Sequence, residues 1–233
     1  MGVFKKEKIV KGAIDSLPIV ISVSPFGIIY GVLAIKSGLT IYEACFSSVV
    51  VFAGAAQFCS LPLFAAGVSP WAIIGTTFII NLRHFVMGAS ISQKIKEDEL
   101  LPRLLASYLL VDESFAVTST WWDKAKRESA RDYLIGSGFA LWSSWNIATI
   151  TGALFGNFLG DPKRLGIDFA IAAGFIGLLV PQVKGKMEIL VLLVAIITSI
   201  LSYLLIAGNW YILIATFCAS IVGAMFSRDD EIE

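Results

Sequence analysis

The chain has 233 residues, 57% of them apolar and only 15% charged, with a mean hydropathy of +0.80. A soluble domain carries about 25% charged residues, so this composition excludes one and points to a chain solvated largely by lipid. Eighteen basic residues balance eighteen acidic ones, which leaves no electrostatic footprint for nucleic acid.

Apolar segments fall at 16–35, 40–58, 69–92, 104–121, 134–158, 165–183, 187–207 and 209–226. A helix rises about 1.5 Å per residue and the hydrocarbon core is about 30 Å thick, so about 20 residues cross it. The first segment follows Lys5, Lys6, Lys8 and Lys11, as a signal peptide does. It is too long for the apolar part of one, and no small-x-small cleavage site follows, so a retained first helix is expected. Every connection is short, which predicts one integral membrane domain over 1–233. The fold class is therefore all-α, a polytopic transmembrane helix bundle of eight spans, or seven if 54–66 is a re-entrant loop.

The positive-inside rule orients the eight-span reading. With the N-terminus inside, Lys5, Lys6, Lys8, Lys11, Lys124, Lys126, Arg127, Arg131, Lys184, Lys186 and Arg228 lie in the cytoplasm. Lys36, Lys94, Lys96, Arg103, Lys163 and Arg164 lie outside. Eleven against six places both termini in the cytoplasm, whereas seven spans give nine against eight. Trp121, Trp122 and Trp210 stand near predicted ends, as interfacial aromatics do. Cys45, Cys59 and Cys218 lie in apolar runs without metal-ligand spacing and read as core residues.

Several segments look interrupted. The first contains Pro25-Phe26-Gly27 with Gly31 one turn on, and the second ends in Gly54-Ala55-Ala56-Gln57-Phe58 with Pro62 beyond. The sixth ends in Val180-Pro181-Gln182. Proline removes a backbone donor, and freed backbone groups persist in a bilayer only where protein or a wet cavity satisfies them. Pro25, Gly27, Gly31, Gly54 and Pro181 are thus candidate helix-break positions, against the plainer reading of ordinary kinks and small-residue packing. A weak repeat accompanies them at an offset of 125 residues: Gly27-x3-Gly31 matches Gly152-x3-Gly156, and Ala56-Gln57 matches Pro181-Gln182, each closing a helix. Two halves, about 12–121 and 132–226, follow from it, parallel or inverted according to the span count.

The polar residues inside apolar runs carry the chemistry. Arg83 lies half-way along 69–92, where a charge costs at least about 2.5–3.5 kcal/mol and looks for a partner. Asp112 and Glu113 in the next run are the candidates, either as a static pair or with one acid left for a substrate ammonium or a proton. Asn81 and His84 are neighbours at i,i+3 on a helix, while Arg83 points about 100° away from His84. His84 is the only histidine of the chain, and histidine is the side-chain type whose unperturbed pKa lies near physiological pH. Gln57 and Gln182 donate and accept hydrogen bonds without charge, which suits a zwitterion. Glu43, Asp168, Asp15 and Glu188 sit near segment starts and read as acids that compensate a helix dipole. No nucleophile–base pair, metal cluster or phosphate loop stands out, so no catalytic residue, metal or cofactor is expected, and an enzyme is the remote reading.

Four elements, Pro25-Phe26-Gly27-x3-Gly31, Phe52-Ala53-Gly54-Ala55-Ala56-Gln57-Phe58, Asn81-Leu82-Arg83-His84 and Asp112-Glu113-Ser114-Phe115, resemble in order and spacing the signatures of the AzlC family. These are large subunits of two-component branched-chain amino acid exporters of the azaleucine-resistance type. The resemblance runs from Lys11 into the 220s, carried in the last third mainly by hydropathy. It implies secondary export of leucine, isoleucine, valine and sometimes methionine across the cytoplasmic membrane, with a small AzlD-type membrane subunit of about four helices. The residues are compatible with that: half-helix N-termini for a carboxylate, Asp112 or Glu113 for an ammonium, Phe26 and Phe58 for an aliphatic side chain. Proton exchange through His84 or the Asp112/Glu113 pair is the expected coupling. A channel or facilitator for small zwitterions, or a subunit without its own transport site, are the rival readings.

Overall fold

The computed structural model describes residues 4–95, 100–124, 129–158, 185–206 and 210–226, with the single residues 176, 180 and 183. All regular structure among them is helical. The rest of the 165–183 segment, with Asp168, Pro181 and Gln182, lies outside the described residues. The chain divides into two compact units, Met1–Ile171 and Ala172–Glu233.

The first unit is built on its longest helix. We number the helices α1 (Lys6–Asp15), α2 (Leu17–Lys36), α3 (Ile41–Val50), α4 (Gly54–Ala65), α5 (Pro70–Ile80), α6 (Arg83–Ser92), α7 (Leu100–Tyr108), α8 (Asp112–Lys124) and α9 (Arg131–Phe158). At 28 residues α9 is about 42 Å long, more than the hydrocarbon thickness of a bilayer. α1 and α2, divided only by Ser16, run parallel to it. Ser16 meets the Ser137 hydroxyl at 2.7 Å, Ser24 meets Ser144 at 2.8 Å, and Gly156 lies against Val32 and Ile35. We call the end with Lys5 and Arg131 the near end, and the end with Lys36 the far end.

The contact is close because small residues line it. A Cβ on Gly31 would collide with the Thr149 carbonyl, and one on Gly152 with the Ile28 carbonyl. The two Gly-x3-Gly elements are thus faces of one helix pair, the small-residue geometry that lets membrane helices approach. This changes the reading of Pro25, Gly27 and Gly31: α2 is one unbroken helix through Pro25. The Ser24 hydroxyl bonds to the Val20 carbonyl and to Ser144 of α9, and Gly27 packs on Ala148 just beyond the proline. A helix held on both sides of its missing amide has no reason to open there.

The next two apolar segments differ from continuous spans in a different way. Residues 40–58 do not form one helix that closes in Gly54–Phe58. α3 stops at Val50, and Gly54 instead opens α4. α3 starts just after α2 at the far end, and a Thr40/Glu43 capping box fixes its first turn. It descends until Ser48 meets Thr149 at 2.9 Å. α4 then turns back, because Gln57 lies beside Ser48 while Phe64 shares a cavity with Gly38 and Leu39. Residues 104–121 behave likewise from the other end. α7 follows Ile95 from the near end and reaches mid-height at Leu109, beside Gly138. α8 returns to the near end, where Trp121 stacks on Tyr133 with ring centroids 4.4 Å apart. Between the two hairpins, α5 and α6 descend from far to near, and the Lys94 carbonyl there accepts the Ala130 amide at 3.0 Å.

Three stretches are long and apolar enough to cross a membrane among the described residues: Leu17–Lys36, Pro70–Ser92 and Lys186–Leu205. Large apolar side chains such as Phe46, Trp71, Phe85 and Leu204 are exposed, as expected where the solvent is lipid. At the near end the Lys5 amide and the Arg131 guanidinium both donate to Asp132, at 2.8 and 2.9 Å. Asp15 ends α1 instead of opening a helix, accepting from the Tyr133 hydroxyl at 2.7 Å and pairing with Lys11 at 3.1 Å.

The second unit is described through α10 (Lys186–Leu205) and α11 (Trp210–Phe226). They form an antiparallel hairpin: Tyr203 meets Tyr211 edge to face, and Gly223 faces Val191. Glu188 lies in the first turn of α10 as expected.

Candidate functional site

The tips of the two hairpins meet at mid-height against α9. The first tip is Val51–Ala53, where Phe52 adopts φ +40°, a left-handed conformation uncommon for a residue with a Cβ. The second is Leu109–Val111, fastened by the buried Ser114 hydroxyl, which accepts the Val111 amide and contacts the Leu109 carbonyl, each at 2.9 Å. Tyr108 joins them. Its hydroxyl donates to the Val49 carbonyl and accepts the Trp142 indole N–H at 2.7 Å, and its ring lies 6.4 Å from that of Phe52.

Gln57 is held at the same level. It is 1% exposed, accepts the Trp145 indole N–H at 2.9 Å and donates to the Ser48 hydroxyl at 2.9 Å. The Trp145 ring also covers Gly54, whose Cβ would stand 3.1 Å from it. The sequence suggested Gln57 as a free zwitterion-binding amide. In the structure it chiefly latches the first tip to α9, with one side on a cavity.

That cavity, about 690 Å³, opens between α3, α4 and α5 on the far side of the tips. Phe46, Val50, Phe64, Ile73 and Phe78 give it apolar walls. Ser47, Gln57, Ser60, Thr77 and Asn81 supply neutral polar groups, a mixture typical of small-molecule sites. The Asn81 Oδ1 is buried with no hydrogen-bond partner among the described residues. Ala56, in the first turn of α4, also lines the cavity. The first amides of a helix have no acceptor within it, so this turn is a donor-rich end. Phe58 is fully buried against Tyr30, 5.8 Å between centroids, and is no wall of the cavity.

The 69–92 run breaks at Asn81-Leu82, so Arg83 begins a helix of its own. Its guanidinium meets the Asp112 carboxylate at 2.6 Å. A cation at the start of α6 opposes the helix dipole, and the anion at the start of α8 that it meets is favoured by its own. The His84 Nδ1–H donates to the Asn81 carbonyl at 3.0 Å, across the break. Glu113 follows Asp112 in the first turn of α8, half-buried.

The structure therefore gathers Asn81, Arg83, His84, Asp112 and Glu113 around one level, and of these Asn81 lines the cavity together with Gln57. Pro25, Gly27 and Gly31 belong to the α2–α9 contact, and Gly54 opens the half-helix beyond a true break. The sequence reading missed Ser47, Ser60 and Thr77, and the braces Tyr108, Trp142 and Trp145. A hydroxyl in an apolar run and an indole far from a segment end were the available signals.

A family model described as AzlC protein matches residues 18–159. Over 185 residues the chain is 32% identical to the inner membrane protein YgaZ of Escherichia coli K12, covering 78% of this chain and 76% of that protein. It is 33% identical over 178 residues to an uncharacterized membrane protein of Archaeoglobus fulgidus, covering 76% of each. The branched-chain amino acid transport protein AzlC of Bacillus subtilis 168 is 23% identical over 198 residues, 85% of this chain and 77% of that protein. No solved structure matches the chain.

Proposed function

The chain belongs to the AzlC family, and from that premise we propose that it is a secondary transporter exporting branched-chain amino acids, leucine, isoleucine and valine with methionine alongside. The observation that carries the reading is the cavity between α3, α4 and α5. Its walls suit an aliphatic side chain, and its lining includes Asn81, whose Oδ1 is buried without a partner among the described residues, and Ala56 in the first turn of α4. The substrate ammonium is assigned to Asn81 Oδ1 and the carboxylate to the α4 amides around Ala56. The half-helix ends of interrupted membrane helices serve such groups generally.

A carrier is favoured over a channel or facilitator because the cavity ends at the tips. Tyr108, Phe52, Trp142 and the Gln57–Trp145 bond close the way to the near end. Proton exchange is assigned to the acids at the start of α8, with His84 as the second candidate. Arg83 already engages Asp112, which leaves the half-buried Glu113 beside it as the acid free to carry a proton.

We assign the near end to the cytoplasm of a cell whose cytoplasmic membrane holds the protein. Lys5, Lys6, Lys8, Lys11, Lys94 and Arg131 gather there, against Lys36 at the far end of the first unit; Lys94, outside in the eight-span count, joins the N-terminal side because α3 and α4 return to the far end before α5 begins. That bias follows the positive-inside rule. A small AzlD-type membrane subunit is assigned as partner. In the first unit the mid-height Arg83 and Asp112 side chains are 37% and 45% exposed, and charge at that depth calls for a protein or aqueous surround.

Efflux of preloaded labelled leucine from cells expressing the chain, with and without its small partner, tests the proposal. Uphill efflux that a protonophore abolishes supports it. Efflux that only follows the gradient makes the protein a facilitator, and no leucine movement in any pairing removes the substrate assignment. Efflux unchanged between about pH 5.5 and 8, where histidine and perturbed carboxyls titrate, removes the proton coupling.

A further inference from the structure

Two stretches of the first unit follow the same path in opposite directions. In 17–65, α2 runs from the near end to the far end, and α3 and α4 then dip from the far end to mid-height and return. In 70–124, α5 and α6 run from far to near, and α7 and α8 dip from the near end and return. Each hairpin turns over three residues, 51–53 and 109–111. This is an inverted repeat within the first unit, distinct from the 125-residue spacing of the Gly-x3-Gly elements.

The repeat relates the two sides of the tips. The far-side cavity is walled by the first hairpin and by α5 of the other repeat. Its counterpart should lie between the second hairpin and α2. On that side a cavity of about 670 Å³ is lined by Lys11 and Asp15 of α1, Ile19 of α2, Tyr133 of α9 and the face of α8 that carries Val117 and Thr120, with Thr118 turned away from it. Superposing the starts of the returning half-helices, Gly54 on Asp112, gives an offset of 112 − 54 = 58 residues. At that offset Ser60, on the far-side cavity, falls on Thr118. Thr118 is 0% exposed, and its hydroxyl has no hydrogen-bond partner among the described residues. A buried orphan hydroxyl is a standing cost that a second conformation would relieve.

We propose that the near side of the tips is the second half of the substrate pathway, and that Thr118, buried out of reach of the near-side cavity in this conformation, is the polar residue substrate meets when the second hairpin moves, as Ser60 is on the far side. The ligand is the same small zwitterion with an aliphatic side chain, so the inference rests on the transport reading above. The two hairpins then exchange roles as the site alternates, the motion for which inverted repeats are suited.

The test uses the full chain with its partner, with Cys45, Cys59 and Cys218 replaced by alanine, and Ser60→Cys or Thr118→Cys added singly. A membrane-impermeant charged maleimide is applied to right-side-out and inside-out vesicles, with and without leucine. The expected result is reaction of the two cysteines from opposite faces, with leucine shifting their rates several-fold in opposite directions. Reaction of both from one face overturns the proposal. So does an unreactive Thr118→Cys in all four conditions while Val117→Cys, on the wall of the near-side cavity, is equally unreactive. Val117→Cys stands in where Thr118→Cys fails to reach the membrane. Opposite-faced labelling that leucine does not alter, in a protein that moves no leucine, keeps the two-sided pathway and removes only the substrate.

Discussion

Arg83 and Asp112 meet at 2.6 Å as the first residues of α6 and α8, two half-helices that both run from mid-height to the near end. The pair ties the break at 81–82 to the tip at 109–111, so it fixes the level at which both hairpins end. Removing one charge of a fully buried pair costs about 3–5 kcal/mol, and the partial exposure of this pair lowers that figure. Asp112→Asn and Arg83→Gln are each expected to reduce folded protein in the membrane. The swap Arg83→Asp with Asp112→Arg is expected to recover most of the loss, because it restores the pair while the favourable and unfavourable dipole contacts merely change places. Quantifying monodisperse protein after detergent extraction decides it, and no recovery by the swap would show that the pair does not set the level of the tips.

Gly31 and Gly152 set the α2–α9 distance. Alanine at either is expected to lower the melting temperature in detergent by an amount corresponding to at least about 1–3 kcal/mol, the usual range for overpacking. Gly75→Ala is the control: no atom beyond its own stretch of helix lies within 4 Å of its Cβ position, and alanine in a helix interior is favoured by up to about 1 kcal/mol. Equal effects at the three positions would mean that the close contact does not determine stability.

Asn81→Leu removes the unpartnered acceptor of a residue that lines the cavity. Its loss is expected to raise the KM for leucine efflux roughly 10- to 100-fold, the equivalent of about 1–3 kcal/mol for one unpaired polar group. Protein abundance should not change, since the Oδ1 supports nothing else in the fold. An unchanged KM would move the ammonium to another group.

Gln57→Leu strands the Trp145 indole N–H and frees the first tip. The expected outcome is a stability loss of about 1–3 kcal/mol, with an increased leak of leucine down its gradient. Trp145→Phe, which removes the same bond from the other side, should give a similar leak. A stable Gln57→Leu protein with tight coupling would show that the bond is dispensable for closure.

Asp15 sets an acid limit at the near end. Burial alone would raise its carboxyl, but the Tyr133 hydroxyl and the Lys11 ammonium outweigh that and hold it below its ordinary value. A carboxyl depressed by folding contributes stability above its unfolded pKa of about 4 and loses that contribution as pH falls through the folded value. Melting in detergent between about pH 3 and 6 should therefore drop more steeply in wild type than in Asp15→Asn. Parallel curves would remove Asp15 from the acid response.

The sequence by itself determined that the chain is helical and membrane-embedded, because an apolar share of 57% leaves few other solutions. It also singled out Gln57, Asn81, Arg83, His84, Asp112 and Glu113, since a polar side chain in an apolar run is conspicuous whatever its partners. The capping acid Glu43 was legible for a local reason, as its bonds run only to Thr40. What the tertiary structure decided is direction. Hydropathy along 40–58 and 104–121 reads the same whether the chain continues across or turns back after ten residues, because both paths pass through lipid-like surroundings. Which one occurs depends on the bonds from Gln57 to Ser48 and Trp145 and from Tyr108 to Val49 and Trp142, made between residues 9 to 88 positions apart. The same holds for Pro25: its local chemistry argues for a break, and the contacts of Ser24 and Gly27 with α9 hold the helix whole.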